Sequence, residues 1–151
     1  MKKLPSRHEE AKESPGYLLW QVSNVWQRHI RAALKPFDLT HVQFVVLAVT
    51  TKLGEDHDAV NQADVARAAA IDKMMTSQVV RALVEKGLLE RSPFPNDSRS
   101  FRLETTDRGL TLISKAIEAV EHADDLFFAR LGEEQADFKQ ALGKLATPEV
   151  L

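Results

Sequence analysis

Between Asn61 and Thr105 the chain runs "NQADVARAAAIDKMMTSQVVRALVEKGLLERSPFPNDSRSFRLET", and the period of its apolar residues changes there from helical to extended. That change is the strongest constraint on the fold. Asn61 caps a short alanine-rich helix over residues 62–70, with Val65 and Ala69 inward, and Ile71 lies in a turn. Asp72 caps a second helix over 73–86, which Gly87 closes in a left-handed conformation. Two helices joined by so short a turn make a helix-turn-helix candidate. "LLERS" and "SFRLE" then read as the strands of a hairpin, with Pro93 and Pro95 admissible only at an edge or turn. Val60, just upstream, suits one short strand.

The flanks are helical. Ser14 and Pro15 read as cap and first residue of a helix running to about Lys35, and Pro36 to Leu39 break it. Thr40 and Gln43 form a capping box for "HVQFVVLAVTTKL", apolar nearly all round and so expected at the centre of the domain, with Gly54 ending it. Thr106 caps a long helix from about Asp107 to Arg130. Its seam of Leu110, Ile113, Ile117, Val120, Phe127 and Leu131 is interrupted by Asp124. Gly132 separates it from a last helix, about Glu134 to Leu145. The expected class is mainly α with a small β-hairpin (α+β), in a single domain over 1–151.

Composition excludes several functions. With 44% hydrophobic residues the chain supports a core, and with no cysteine it holds no disulfide, thiolate zinc site or thiol switch. His8, His29, His41, His57 and His122 lack close ligand spacing, so no metal is expected. No cofactor is expected either. The scattered Ser, His and Asp residues include no nucleophile turn, and there is no glycine-rich phosphate loop; the chain reads as a non-enzyme. Neither a long apolar run nor an apolar segment after the N-terminal lysines is present, which predicts a cytoplasmic protein with no membrane partner.

The net charge of −2 conceals a local excess: over 91–102, Arg91, Arg99 and Arg102 face only Asp97. Such a field attracts phosphates. On the helix over 73–86, Val79, Val80, Leu83 and Val84 are expected inward, leaving Lys73, Met74, Ser77, Gln78 and Arg81 on the other side. An amide and two cations near a helix N-terminus suit a DNA major groove, where Gln and Arg read base edges; the ordinary alternative is a solvated amphipathic face. The proline-stiffened turn that follows puts Asn96, Asp97 and Arg99 at its tip, so that Arg99 suits the narrow minor groove and Asp97 is expected to hold its guanidinium.

These runs, "LTHVQFVVL", the helix-turn-helix block and "NDSRSFRLETTDRG", resemble the MarR family of dimeric winged-helix transcription regulators across nearly all of residues 16–147. The resemblance implies a winged helix-turn-helix DNA-binding region over 40–105 and dimerisation helices over 15–35 and 107–147. It also implies DNA contact through Arg99 and the exposed helix positions, a homodimeric repressor of a pseudo-palindromic double-stranded operator, and a small aromatic or phenolic effector near Trp20, Trp26 and His41. In this sequence Thr105 stands where the family favours an aliphatic residue, and Ala70 where it often has glycine. The rival reading is a helical dimer that binds a protein partner and has lost DNA binding; Lys73, Gln78, Arg81 and Arg99 speak against it.

Overall fold

The computed structural model describes residues 1–147; the last four positions of the expected domain lie outside them. Capping side chains set the starts of the first five α-helices. Ser14 Oγ accepts from the Tyr17 amide and opens α1 (Pro15–Leu34), and Thr40 with Gln43 closes a capping box on α2 (His41–Asp56). Asn61 Oδ1 accepts from Ala63 N at 2.8 Å to open α3 (Gln62–Ala69), and Asp72 Oδ1 from Met75 N at 2.7 Å to open α4 (Lys73–Glu85). Thr106 Oγ1 accepts from Gly109 N at 3.0 Å at the start of α5 (Asp107–Phe128). Each cap satisfies a backbone donor that would otherwise lack a partner, worth about 1 kcal/mol. A 3-10 segment, Ala129–Glu134, kinks at Gly132 and leads into α6 (Gln135–Ala146).

The strands form one antiparallel sheet in the order β1-β3-β2, from β1 (Val60–Asn61), β2 (Leu89–Phe94) and β3 (Asp97–Thr105). The mainly α architecture with its small sheet is that of a winged helix. β2 is an edge strand, which is why Pro93 is tolerated inside it. The hairpin is tighter than the sequence suggests, because the strands continue to a turn at Pro95 and Asn96. Phe94 pairs with Asp97 but Pro93 with Phe101, so residues 98–100 bulge out of the ladder. Arg99 therefore lies in a bulge on the return strand, and Asn96 holds the tip.

Ile30, Leu34, Val46, Leu47, Val65, Val80, Leu83, Leu103 and Ile113 interlock α1 to α5 and the sheet in one core. α2 passes through it, and its buried Thr50 returns its hydroxyl to the Val46 carbonyl at 2.7 Å. At Gly109 a Cβ would stand 2.1 Å from the Leu88 carbonyl oxygen, so only glycine lets α5 start against the α4–β2 corner. Thr106 Oγ1 donates to the Gly87 carbonyl at 2.8 Å and locks the same corner.

Several expectations need correction. Gly54 does not end α2: the helix runs on until His57 leaves helical space at φ −137°, because a glycine ends a helix only where the chain turns left-handed. Val84 is exposed, since the core side of α4 is already filled by Thr76, Val79, Val80 and Leu83. Leu110 at the head of the α5 seam is half exposed, while Ala116 is fully buried. Ala70 takes the left-handed conformation (φ 54°) that glycine adopts more easily, and the Ile71 amide closes the turn on the Ala66 carbonyl at 3.1 Å. Thr105 is matched by Thr51, the two hydroxyls lying 2.9 Å apart, so that a hydrogen bond stands in for aliphatic packing. Among the described residues no single helix is long and apolar enough to cross a membrane.

Candidate nucleic-acid interface

The capping carboxylate of Asp72 fixes where α4 begins, and burial of Val79, Val80 and Leu83 fixes its rotation. Lys73, Met74, Gln78 and Arg81 are consequently exposed together, with Ser77 half-buried at their edge. Met74 is 74% exposed, an apolar group of the kind that meets a thymine methyl. Thr76, on the opposite side, turns its hydroxyl back to the Asp72 carbonyl and is fully buried.

In the wing, Asp97 does not hold the Arg99 guanidinium. Its Oδ1 accepts from the Arg99 backbone amide and its Oδ2 from Ser100 Oγ, both at 2.9 Å. A short side chain two residues upstream reaches its own backbone before it reaches a distant guanidinium. Those two hydrogen bonds hold the Asp97 carboxyl below its ordinary range, the Arg99 amide contributing most. Asp97 thus shapes the bulge, and the exposed Arg99 side chain finds no hydrogen-bond partner among the described residues. Asn96 is exposed at the turn.

Arg91 belongs to the same region, although sequence reading gave it only a share in the local positive charge. Its guanidinium carbon lies 3.5 Å over the Phe101 ring, and its Nε is buried with no hydrogen-bond partner. Burial first, and the neighbouring Arg81 charge second, lower its pKa from the ordinary arginine value. Phe101 pairs with Pro93, two residues beyond Arg91 on the same face of the hairpin; that register is the signal that would have found the stack. A cleft of about 250 Å³ separates α4 from the wing, lined by Gln62, Lys73, Thr76, Arg99, Ser100 and Phe101. Arg102 is occupied elsewhere, donating to the Asp58 carbonyl at 3.2 Å.

The expected effector residues separate into two places. Trp26 meets His41 edge to face at 5.1 Å, and its Nε1 donates to Asp124 Oδ1 at 2.8 Å, which explains the carboxylate in the α5 seam. Trp20 is 68% exposed and apart from them, because six residues along a helix turn a side chain to another face. Burial, and then the Arg31 charge, lower the His41 pKa against the opposing pull of Asp124. That shift favours the neutral imidazole, which offers an anion a hydrogen bond.

Similarity to known proteins bears on this arrangement. The MarR family model matches residues 39–101. The HTH-type transcriptional regulator YdcH of Bacillus subtilis is 43% identical over 116 residues, which are 77% of this chain and 79% of YdcH. The HTH-type transcriptional repressor Rv2887 of Mycobacterium tuberculosis is 32% identical over 133 residues, 87% of this chain and 93% of its own. Among solved structures, Bordetella bronchiseptica BpsR, whose DNA binding is regulated by 6-hydroxynicotinic acid, superposes with a TM-score of 0.82 at 25% identity, covering 95% of this chain and 99% of BpsR. A mutant of E. coli MarR complexed with operator DNA shares the fold, with a TM-score of 0.76 at 23% identity over 88% of this chain and 93% of that one. With the extent of these matches and the helix-turn-helix and wing they cover, the chain belongs to the MarR family.

Proposed function

We propose that the protein is a homodimeric, sequence-specific DNA-binding regulator of transcription that represses from a pseudo-palindromic operator. The observation that carries this reading is the exposed face of α4, with Lys73, Gln78 and Arg81, standing beside a wing whose exposed Arg99 side chain has no hydrogen-bond partner among the described residues. α4 enters a major groove, where Gln78 and Arg81 meet base edges and Ser77 the backbone, while Arg99, Asn96 and the Asp97-shaped bulge address the adjoining minor groove. The names of its relatives support repression, Rv2887 being a repressor.

Dimerisation is supported by apolar surface that one protomer leaves uncovered. Leu18, Leu19, Trp20 and Val22 on α1, Leu126 on α5, and Leu142 and Leu145 on α6 are all exposed, and α6 buries no residue at all. A second copy covers them and sets two α4 helices about 34 Å apart, one DNA turn. The effector is a small aromatic or phenolic acid, a class to which the regulation of BpsR by 6-hydroxynicotinic acid lends support. It sits beside Trp26 and His41, with Trp20 at the margin. A gel-shift titration of DNA from upstream of the protein's own gene tests the reading: a discrete complex resistant to excess random DNA supports it. Equal competition by random DNA contradicts it and favours the protein-interaction alternative.

A further inference from the structure

Sulfur is scarce in this chain and concentrated in one place. There is no cysteine, and of the three methionines one is Met1; the other two, Met74 and Met75, are adjacent in the first turn of α4. Burial of Val79, Val80 and Leu83 on the core side leaves both exposed, Met74 by 74% and Met75 by 43%. A thioether inside a core is shielded and serves as packing. On a surface its lone pairs are open to oxidants from solvent.

The two positions differ. Ser77 and Gln78 follow Met74 by three and four residues and Arg81 by two turns, so Met74 stands at the centre of the exposed face that carries the amide and the cations. Met75 lies about 100° round the helix, toward the side on which Val79 is buried. In a chain with no thiol to react first, these thioethers are the side chains most open to a two-electron oxidant.

We propose that Met74 is a modification site, at which oxidation of the thioether to the sulfoxide by a hypohalous acid weakens the grip of α4 on DNA. The sulfur gives an electron pair to the chlorine of hypochlorous acid, and the O–Cl bond breaks to release hydroxide. Water then adds its oxygen to sulfur; hydroxide takes up one of its protons, and chloride and the other proton go to solvent. Sulfur loses two electrons and chlorine gains them. The sulfoxide is polar where the thioether was apolar. Its oxygen accepts hydrogen bonds and donates none, so it meets a thymine methyl with an unsatisfied acceptor and competes with a base for the Gln78 amide one turn along. Sulfoxide reductases reverse the change, one enzyme for each epimer. The modification rests on the exposed sulfur alone; its effect on DNA rests on the DNA-binding reading above.

Titration of the full chain with hypochlorous acid tests both parts. Peptide mass spectrometry follows oxygen uptake at each methionine, and fluorescence anisotropy follows binding to a duplex from upstream of the gene. Met74 should take up one oxygen before either tryptophan is modified, and affinity should fall about tenfold or more in step with that uptake, at an unchanged melting temperature. A mixture of the two sulfoxide reductases should restore binding. Each variant is compared with its own untreated form: Met75→Leu should lose affinity as the unmodified chain does, whereas Met74→Leu, which keeps Met1 and Met75, should lose none. Modification of a tryptophan ahead of Met74 overturns the site. An equal loss in Met74→Leu, an oxidised Met74 with affinity unmoved, a lowered melting temperature, or a loss that the reductases do not reverse overturns the effect on DNA. If the untreated protein binds no DNA, the DNA-binding reading fails and takes that effect with it, while the mass spectrum still decides the modification site.

Discussion

α4 and α6 are amphipathic helices of almost equal length, 13 and 12 residues, and they use their two faces in opposite ways. α4 buries Thr76, Val79, Val80 and Leu83 and presents cations and an amide to solvent; α6 buries nothing and leaves Leu142 and Leu145 exposed. A polar face left outward on a helix already anchored in a core is surface available for recognition. An apolar face left outward on a helix that buries none of its own residues is, on the proposed reading, half of an interface. The helical period is the same in both. What differs is which face the rest of the chain covers.

The largest expected effect breaks that comparison at its anchored end. Leu83 is fully buried, and Leu83→Ala should cost about 2–5 kcal/mol of unfolding free energy, read by urea denaturation. Leu142→Asp with Leu145→Asp should instead leave the helical spectrum of the protomer intact and move the population from dimer to monomer in sedimentation velocity. If the α6 pair unfolds the chain as Leu83→Ala does, α6 belongs to the protomer core and the contrast fails.

The next effect sharpens the recognition side. Gln78→Ala should cost about 1–3 kcal/mol on the operator and little on random DNA, read by fluorescence anisotropy. Equal losses on both would make Gln78 a backbone contact. Arg99→Ala should weaken binding to every sequence and lower the salt slope by about one unit, because one cation leaves the phosphate field.

How far these features were legible follows from the range of the interaction. The caps at Ser14, Thr40, Asn61, Asp72 and Thr106 were readable because a cap joins residues two or three apart, and the inward face of α4 was readable from its period. Gly54 and Val84 misled because what decides them is tertiary: which neighbour already fills the space, and where the backbone next turns. Asp97 sits in the expected wing with another partner, since the bulge depends on the register between β2 and β3. The Arg91–Phe101 stack and the Trp26–Asp124 hydrogen bond join positions on different elements, and no local spacing announces either.

The smallest expected effect is acid sensitivity at the junction between the two halves. The folded protein holds the His41 pKa below the ordinary 6.5, so as pH falls past that value the unfolded chain takes up a proton that the folded one still refuses. Stability is present above 6.5 and lost as pH drops through the lowered folded value. His41→Gln should flatten that part of the profile, compared by urea denaturation at about pH 7.5 and about pH 5.5. An unchanged slope would mean that the Trp26–His41 contact opens before it titrates.

The central claim is that the apolar faces pair two protomers so that two polar faces read one duplex. Sedimentation equilibrium of the protein with a fluorescent duplex from upstream of its gene tests both parts at once. The account predicts two protomers per duplex, with specific binding about 10³-fold or more tighter than to a shuffled duplex of the same length. One protomer per duplex, or equal affinity for the shuffled sequence, contradicts it.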